Sequence, residues 1–321
     1  MTALPKIAWL FPGQGSQSVG MGKALYEHFP EAKVTYAEAA QALGWDVARI
    51  SFEGPEAELN RTAVTQPALL TASVAAWRVL ARKPMAPAFA AGHSLGEYTA
   101  LVCAGAVPFS QAVRLVHQRG RYMQEAVPEG AGAMTAVLGL DREAVASVCR
   151  DASASGVVEP ANFNAPGQIV LAGERRAVER AAELAVAAGA KRVVPLPVSV
   201  PSHCRLMREA AKRLELDLRQ AAWTAPAVPV VANVDARPLA SRDAVVPALV
   251  RQLSSPLLWE DSIRFMLAQG VTTFIEVGPG RVLSGLVKKI ERSARTLQAD
   301  SPDAVEGVWA AIERVEVGAS S

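Results

Sequence analysis

Ser94 and His203 are the residues whose surroundings best suit them to chemistry. Ser94 lies in Gly92-His93-Ser94-Leu95-Gly96, a G-x-S-x-G pattern. The apolar run 88–91 precedes it and a helical stretch from Glu97 follows at once. Between a strand and a helix this pattern makes a sharp turn that lifts the serine hydroxyl out of the backbone. Small residues two positions either side let the chain bend that tightly. The helix N-terminus turns the Leu95 amide toward a developing oxyanion. The chemistry is that of an activated serine, which needs a base. Four histidines are available. His93 adjoins the serine, so its ring should leave the turn in another direction. His28 lies at a helix end, and His117 sits on an arginine-flanked helix where a structural role is expected. His203 follows Val198-Ser-Val-Pro-Ser202 at a strand end, and sites in open α/β sheets form at carboxyl strand ends. Elimination selects His203. No carboxylate is evident to orient it, and Asp217, Asp235 and Glu276 stay open.

Three further motifs bear on the same chemistry. Gly13-Gln14-Gly15 follows the first strand and could supply a second backbone amide to an oxyanion. The helix from Ser110 carries Arg114, Arg119 and Arg121, any of which could hold a carboxylate bidentately if buried. Spacing does not choose among them. Gly278-Pro-Gly280 reads as a structural turn, and no G-x-G-x-x-G dinucleotide fingerprint is present.

The elements that must position these residues alternate between strands and helices. Lys6-Ile-Ala-Trp-Leu-Phe11 reads as a buried strand ending at the Gly13 loop. Residues 21–43 read as helix. Thr65-Gln-Pro67 opens a helix over 68–80, and Ser110 is a plausible N-cap for a helix over 110–126. Between 128 and 199 the pattern changes. Strands at 134–139, 157–163, 168–172 and 192–198 and helices at 141–152 and 174–188 give β-α-β-β-α-β, the ferredoxin-like signature. Helices follow at 206–220, 245–252 and 259–269, strands at 228–233 and 273–277, and a last helix from Val282. The final ten or so residues read as frayed. The expected fold class is α/β, an α/β-hydrolase-like, mostly parallel core carrying an inserted ferredoxin-like subdomain. The core would span 1–127 and 199–321, and the subdomain 128–198.

Composition narrows the function. The chain has 321 residues, half of them hydrophobic, enough for a sizeable core and against disorder. A net charge of +2 argues against nucleic-acid binding by charge alone. Cys103, Cys149 and Cys204 are widely spaced and odd in number, so neither a disulfide framework nor a zinc site is expected, and a reducing compartment is. No apolar signal core and no run of 18 apolar residues is seen, so a cytoplasmic location away from the membrane is the expectation.

Taken together, Phe11-Pro-Gly-Gln-Gly-Ser-Gln17, Gly92-His-Ser-Leu-Gly-Glu-Tyr98, Gln118-Arg-Gly120, Val198-Ser-Val-Pro-Ser-His203 and Glu276-Val-Gly-Pro-Gly280 resemble the malonyl-CoA:acyl carrier protein transacylases of type II fatty acid synthesis. Thr65-Gln-Pro-Ala-Leu-Leu70, Asn162-Phe-Asn-Ala-Pro166 and Arg251-Gln-Leu253 fit as well, and the resemblance runs from about Lys6 to about Ile290. It implies that Ser94 is acylated, that His203 is its base, and that the backbone carbonyl of Gln252 orients the imidazole. It further implies an oxyanion hole from the Gln14 and Leu95 amides, and Arg119 on the malonyl carboxylate. Asn162 and Asn164 would lie near the cleft. Positions 254 and 255 are Ser-Ser, where the resemblance leads one to expect an aromatic and then Asn.

The implied reaction is ping-pong transfer from malonyl-CoA to holo acyl carrier protein with no metal or cofactor. Carrier proteins are acidic, so a basic docking patch is expected, with Lys288 and Lys289 or Lys191 and Arg192 as candidates. A monomer is expected, since nothing in the sequence demands an oligomer. Three rivals are a serine acyl hydrolase on the same core, a transacylase of a polyketide or malonate decarboxylase system, and a carrier scaffold with an inactive site.

Overall fold

Side-chain alternation along the first apolar run decides the layering. In strand β1 (Lys6–Phe11), Trp9 and Phe11 join one buried cluster while Ala8 and Leu10 join another. A strand buried on both faces belongs inside a covered parallel sheet. Each fully buried Leu or Phe there contributes about 1.5–3 kcal/mol. The computed structural model describes residues 6–198 and 200–319. The further strands among them are β2 (Phe89–Gly92), β3 (Gly132–Leu138), β4 (Val158–Ala165), β5 (Gln168–Glu174), β6 (Arg192–Pro195), β7 (Val230–Val231), β8 (Val271–Val277) and β9 (Arg295–Ala299). One sheet, in the order β7-β2-β1-β8-β9, is parallel throughout. The helices Thr62–Leu80, Gly96–Cys103 and Phe109–Glu125 contribute to the cluster on the Trp9 face. Trp259–Ala268 and Val282–Ile290 contribute to the other.

The second sheet is antiparallel with the order β4-β5-β3-β6. Its strands and the helices Arg142–Ala152 and Arg175–Ala187 follow the expected β-α-β-β-α-β order. Val137, Ile169 and Leu171 face those helices, while Met134, Val170 and Ala172 point the other way. That second face overlies the carboxyl edge of the parallel sheet. Backbone ties β4 to the segment that leads into the helix Trp259–Ala268. Leu257 donates its N–H to Ala161 O at 2.8 Å and accepts from Phe163 N–H at 2.9 Å. Arg142 also pairs with Glu260 and Asp261.

Several element boundaries differ from the sequence expectation, each for a local reason. The continuous helix over 21–43 is two helices, Lys23–His28 and Pro30–Leu43. Phe29 between them is extended (φ −123°, ψ 126°), as a residue before proline prefers. Pro67 does not open its helix but lies inside Thr62–Leu80. It has no N–H to give the carbonyl four residues back, Ala63. That carbonyl accepts instead from His117 Nδ1 at 2.9 Å, which is the structural role expected of His117. Ser110 is inside its helix, Phe109–Glu125, and Pro108 is the cap. Strand β6 stops at Pro195, because Pro195 and Pro197 cannot donate to a ladder. Strand β9 and the helix Pro302–Ala319 were not singled out from the sequence, and the last two residues of the expected frayed end lie outside the described residues. Among the described residues no helix is long and apolar enough to cross a membrane.

Candidate active site

Strand β2 ends at Gly92 and the helix Gly96–Cys103 begins four residues later, with Ser94 between them at φ 53°. That left-handed backbone is strained for a residue with a Cβ. The turn also needs its glycines. A Cβ on Gly92 would overlap the Gly96 carbonyl, and one on Gly96 would overlap the Phe11 carbonyl. Asn233, just past β7, holds the turn from below. Its Nδ2 donates to Gly92 O and its Oδ1 accepts from Ser94 N–H, both at 2.8 Å.

His203 is brought to the serine from 109 residues away. Its Nδ1 lies 2.7 Å from Gln252 O, and its Nε2 lies 2.7 Å from Ser94 Oγ. A carbonyl can only accept, so Nδ1 carries the proton and Nε2 is left to accept from the serine hydroxyl. Burial, and then the nearby Arg119 charge, lower the His203 pKa from 6.5 to about 3, so the ring is neutral near pH 7. Its backbone is also left-handed (φ 63°), and its N–H donates to Leu253 O at 3.1 Å. Two successive carbonyls at a helix end thus hold one histidine, with Ser-Ser at 254 and 255. The carboxylates left open by the sequence are engaged elsewhere. Asp217 accepts from Tyr122 Oη, Asp235 pairs with Arg251, and Glu276 accepts from the N–H groups of Leu283 and Ser284.

Of the three helix arginines, Arg119 alone is buried, at 1 % exposure. Arg114 and Arg121 are exposed. The helix carrying Arg119 comes close enough to Thr62–Leu80 that a Cβ on Gly120 would overlap Ala63 and Thr62 backbone. Arg119 Nη1 donates to Gln66 Oε1 at 2.8 Å. Its Nη2 donates to Gln252 Oε1 at 3.0 Å and to Ser94 Oγ at 3.1 Å. A buried cation therefore lies beside the serine hydroxyl.

Beneath these groups is a polar layer that the sequence reading did not single out. Glu97 is fully buried. Its Oε2 accepts from Gln252 Nε2 at 2.9 Å and from Asn233 N–H at 3.0 Å, while its Oε1 has no partner among the described residues. Burial raises its pKa from 4.5 to about 7, against the lowering effect of its hydrogen bonds and Arg119. One signal existed: Glu97 is the sole charged residue in the otherwise apolar helix Gly96–Cys103. Gln66 and Asn233 carried no comparable mark.

The remaining expected residues surround a cavity of about 100 Å³, lined by Gln14, Ser94, Leu95, Arg119, Asn162 and His203 among others. Neither the Gln14 nor the Leu95 amide donates to another described residue. Asn164 Oδ1 lies 2.9 Å from His93 Nε2, so the His93 ring turns away from the serine toward β4. Asn162 is buried at the cavity edge with an unpartnered Oδ1. His28 is exposed at its helix end. Among the described residues no cluster of three His, Cys, Asp or Glu side chains could hold a metal ion.

Comparison with known proteins places this arrangement. The acyl transferase domain family matches residues 8–309. The malonyl CoA-acyl carrier protein transacylase of Escherichia coli K12 is 52% identical over 303 residues, 94% of this chain and 98% of that protein. The chain belongs to this transacylase family. An acyl carrier protein S-malonyltransferase from Vibrio cholerae superposes with a TM-score of 0.92 at 50% identity, over 94% of this chain and 99% of that one. A malonyl-transacylase solved with the acyl carrier protein of a type II polyketide synthase also has a TM-score of 0.92 at 50% identity, over 94% and 98%. Family membership accounts for the pairing of an α/β core with a ferredoxin-like insertion, since the match spans both.

Proposed function

We propose that this chain moves the malonyl group from malonyl-CoA to the phosphopantetheine thiol of holo acyl carrier protein, supplying fatty acid synthesis. One observation carries the reading. A buried guanidinium lies 3.1 Å from the hydroxyl that a neutral histidine accepts from. An acyl group with a free carboxylate suits that site, because a buried cation without a counter-charge is costly.

Ser94 Oγ attacks the thioester carbonyl as His203 Nε2 takes its proton. The Gln14 and Leu95 amides receive the oxyanion, and Asn162 lines the cleft beside them. The C–S bond breaks and CoA thiolate leaves with the proton from His203. The carrier thiol then gives its proton to His203 and attacks the malonyl ester. The C–O bond breaks, and Ser94 Oγ recovers its proton. Arg119 holds the malonyl carboxylate, and the Gln252 carbonyl keeps the imidazole in its reactive tautomer. Burial is the larger cause of the low His203 pKa; a carboxylate against Arg119 offsets the smaller one, the arginine charge, and so favours proton uptake by the ring. No metal is required for these steps.

Asn164 holds His93 against β4 and keeps the antiparallel sheet over the site. We read 128–198 as the subdomain and 1–127 with 199–321 as the core, in line with the extent of the antiparallel sheet. The exposed Lys288, Lys289, Lys191 and Arg192 are our candidates for meeting an acidic carrier. Lys289 is bonded to Gln168, on the cleft side of β5. We read the enzyme as a cytoplasmic monomer.

The test is intact-protein mass spectrometry after brief exposure to malonyl-CoA, with and without holo carrier. A malonyl adduct on Ser94 that persists in water and disappears into carrier supports the proposal. An adduct cleared by water without carrier overturns it in favour of a hydrolase. The relative that binds a polyketide carrier supports a second reading, delivery to a carrier of that kind. Competition between fatty acid and polyketide carriers for the same malonyl-enzyme decides between them.

A further inference from the structure

Gln252 makes an unusual number of contacts for one residue. Its backbone carbonyl accepts from His203, its Oε1 accepts from Arg119, and its Nε2 donates to Ser94 O at 2.9 Å. A carboxamide is nearly symmetric in shape, so only its partners decide which end is oxygen. Rotated by half a turn, Gln252 would aim an NH₂ group at the guanidinium, donor against donor. Of its side-chain hydrogen bonds Arg119 would then keep those to the Gln66 carboxamide and the serine hydroxyl, with the Tyr98 ring 5.6 Å from its guanidinium carbon. The orientation of Gln252 therefore decides how Arg119 is held.

Acceptors around Nε2 set that orientation. They are Ser94 O at 2.9 Å, Glu97 Oε2 at 2.9 Å and, more weakly, Asn233 Oδ1 at 3.4 Å. Ser94 O is a strained turn carbonyl, and Asn233 Oδ1 already accepts from Ser94 N–H. Among the described residues Glu97 is the one side chain whose oxygen lies within 3 Å of Nε2. The same oxygen takes the Asn233 N–H, which fixes the residue clamping the Ser94 turn.

Resting on the proposed malonyl transfer, we infer that Glu97 is a positioning residue for substrate choice: its Oε2 locks the Gln252 carboxamide so that Arg119 stays aimed at the substrate carboxylate. Glu97 touches neither substrate nor the reacting atoms. What is required of it is an acceptor oxygen, and a neutral carboxyl or a carboxamide supplies one as well as a carboxylate does. The burial that pushes its pKa toward 7 is consistent with a role that does not need the charge.

The test compares Glu97→Met, which keeps the volume and removes the acceptor, with Glu97→Gln, which restores it. For each variant, Ser94 acylation by malonyl-CoA and by acetyl-CoA is followed by rapid-quench mass spectrometry, and the ratio of the two kcat/KM values is taken. Glu97→Met is expected to lower the malonyl-to-acetyl ratio about tenfold or more, mainly through a higher KM for malonyl-CoA, the scale of a buried donor left unsatisfied. Glu97→Gln is expected to restore the ratio to within a few-fold. A Glu97→Met enzyme that melts cooperatively and keeps the wild-type ratio overturns the inference. So does a Glu97→Gln enzyme that loses the ratio as fully as Glu97→Met. Where Glu97→Met does not fold, Glu97→Asp withdraws the oxygen by one methylene and must show the same loss. A wild-type enzyme that acetylates Ser94 but never malonylates it overturns the functional reading itself, a result distinct from either.

Discussion

The floor and the roof of the cleft are built on different principles. The floor is the carboxyl edge of the parallel sheet, where Asn233, Glu97 and Gln252 form a buried polar layer beneath Ser94. Each of those contacts fixes the direction of an atom. The roof is the inward face of the antiparallel sheet, where Met134, Val170 and Ala172 offer shape without direction. Asn162, Asn164 and Gln168 are among its polar exceptions, and Asn164 reaches down to His93. The floor tolerates no loss of a partner, because an orphaned buried polar group costs about 1–3 kcal/mol. The roof can repack, since exchanges between apolar side chains of similar volume usually cost under about 1.5 kcal/mol. The difference is that the floor fixes the direction of polar atoms, whereas the roof gives mainly shape.

That contrast can be broken most directly at the base. His203→Ala is expected to lower malonyl transfer by about 10³-fold, measured as malonyl-carrier formed per unit time, within the range general-base catalysis supplies. A loss under tenfold would mean the floor does not activate the serine. Next in size, Arg119→Ala is expected to reduce malonyl over acetyl acylation by about 100-fold, from the loss of a buried counter-charge. An unchanged preference would move substrate choice to the roof.

The third expectation concerns pH and stability. In the folded chain Glu97 holds its proton up to about pH 7, whereas an ordinary glutamate releases it near 4.5. The folded state thus binds more protons between these values, and the stabilisation from Glu97 is lost as pH rises through that window. His203 has the opposite sign. Its folded pKa of about 3 lies below the ordinary 6.5, so its contribution is lost as pH falls through that window. Thermal melts of Glu97→Gln and wild type should diverge as pH rises from 4.5 to about 7, the wild type losing several degrees relative to the variant. Parallel curves would mean that Glu97 titrates as an exposed glutamate does. The smallest effect is expected at the roof, where Met134→Leu should change kcat/KM less than about threefold. A larger change would give the roof a directing role.

How much of this was legible beforehand varied residue by residue. The Ser94 turn was readable because its geometry is imposed by its immediate neighbours. Two glycines and a strand-to-helix junction within five positions exclude other folds of that segment. The order of elements in the antiparallel sheet was readable for the same reason, since each element carries its own periodicity. Element ends were less so. Pro67 reads as a helix start because the donor that replaces its missing N–H, the His117 ring, lies 54 residues from the Ala63 carbonyl it satisfies. Arg119 was not chosen over Arg114 and Arg121, though a mark was present. It shares the helix stripe of Ala112, Val116 and Met123, all buried, while the other two fall off it.

By itself, then, the sequence determined what short-range sterics and periodicity control: the sharp turn that carries Ser94, the strand ends that face it, and the two sheet types. His203 followed by elimination because only four histidines exist. The tertiary structure alone decided that the buried Arg119 lies beside Ser94, that a helix-end carbonyl and no carboxylate accepts from His203 Nδ1, and that Glu97 lies under Gln252. Each of these joins groups from separate elements, up to 155 residues apart. No local rule links such positions. Only the packing of whole elements brings them to 2.7–3.1 Å, where hydrogen bonding and charge act.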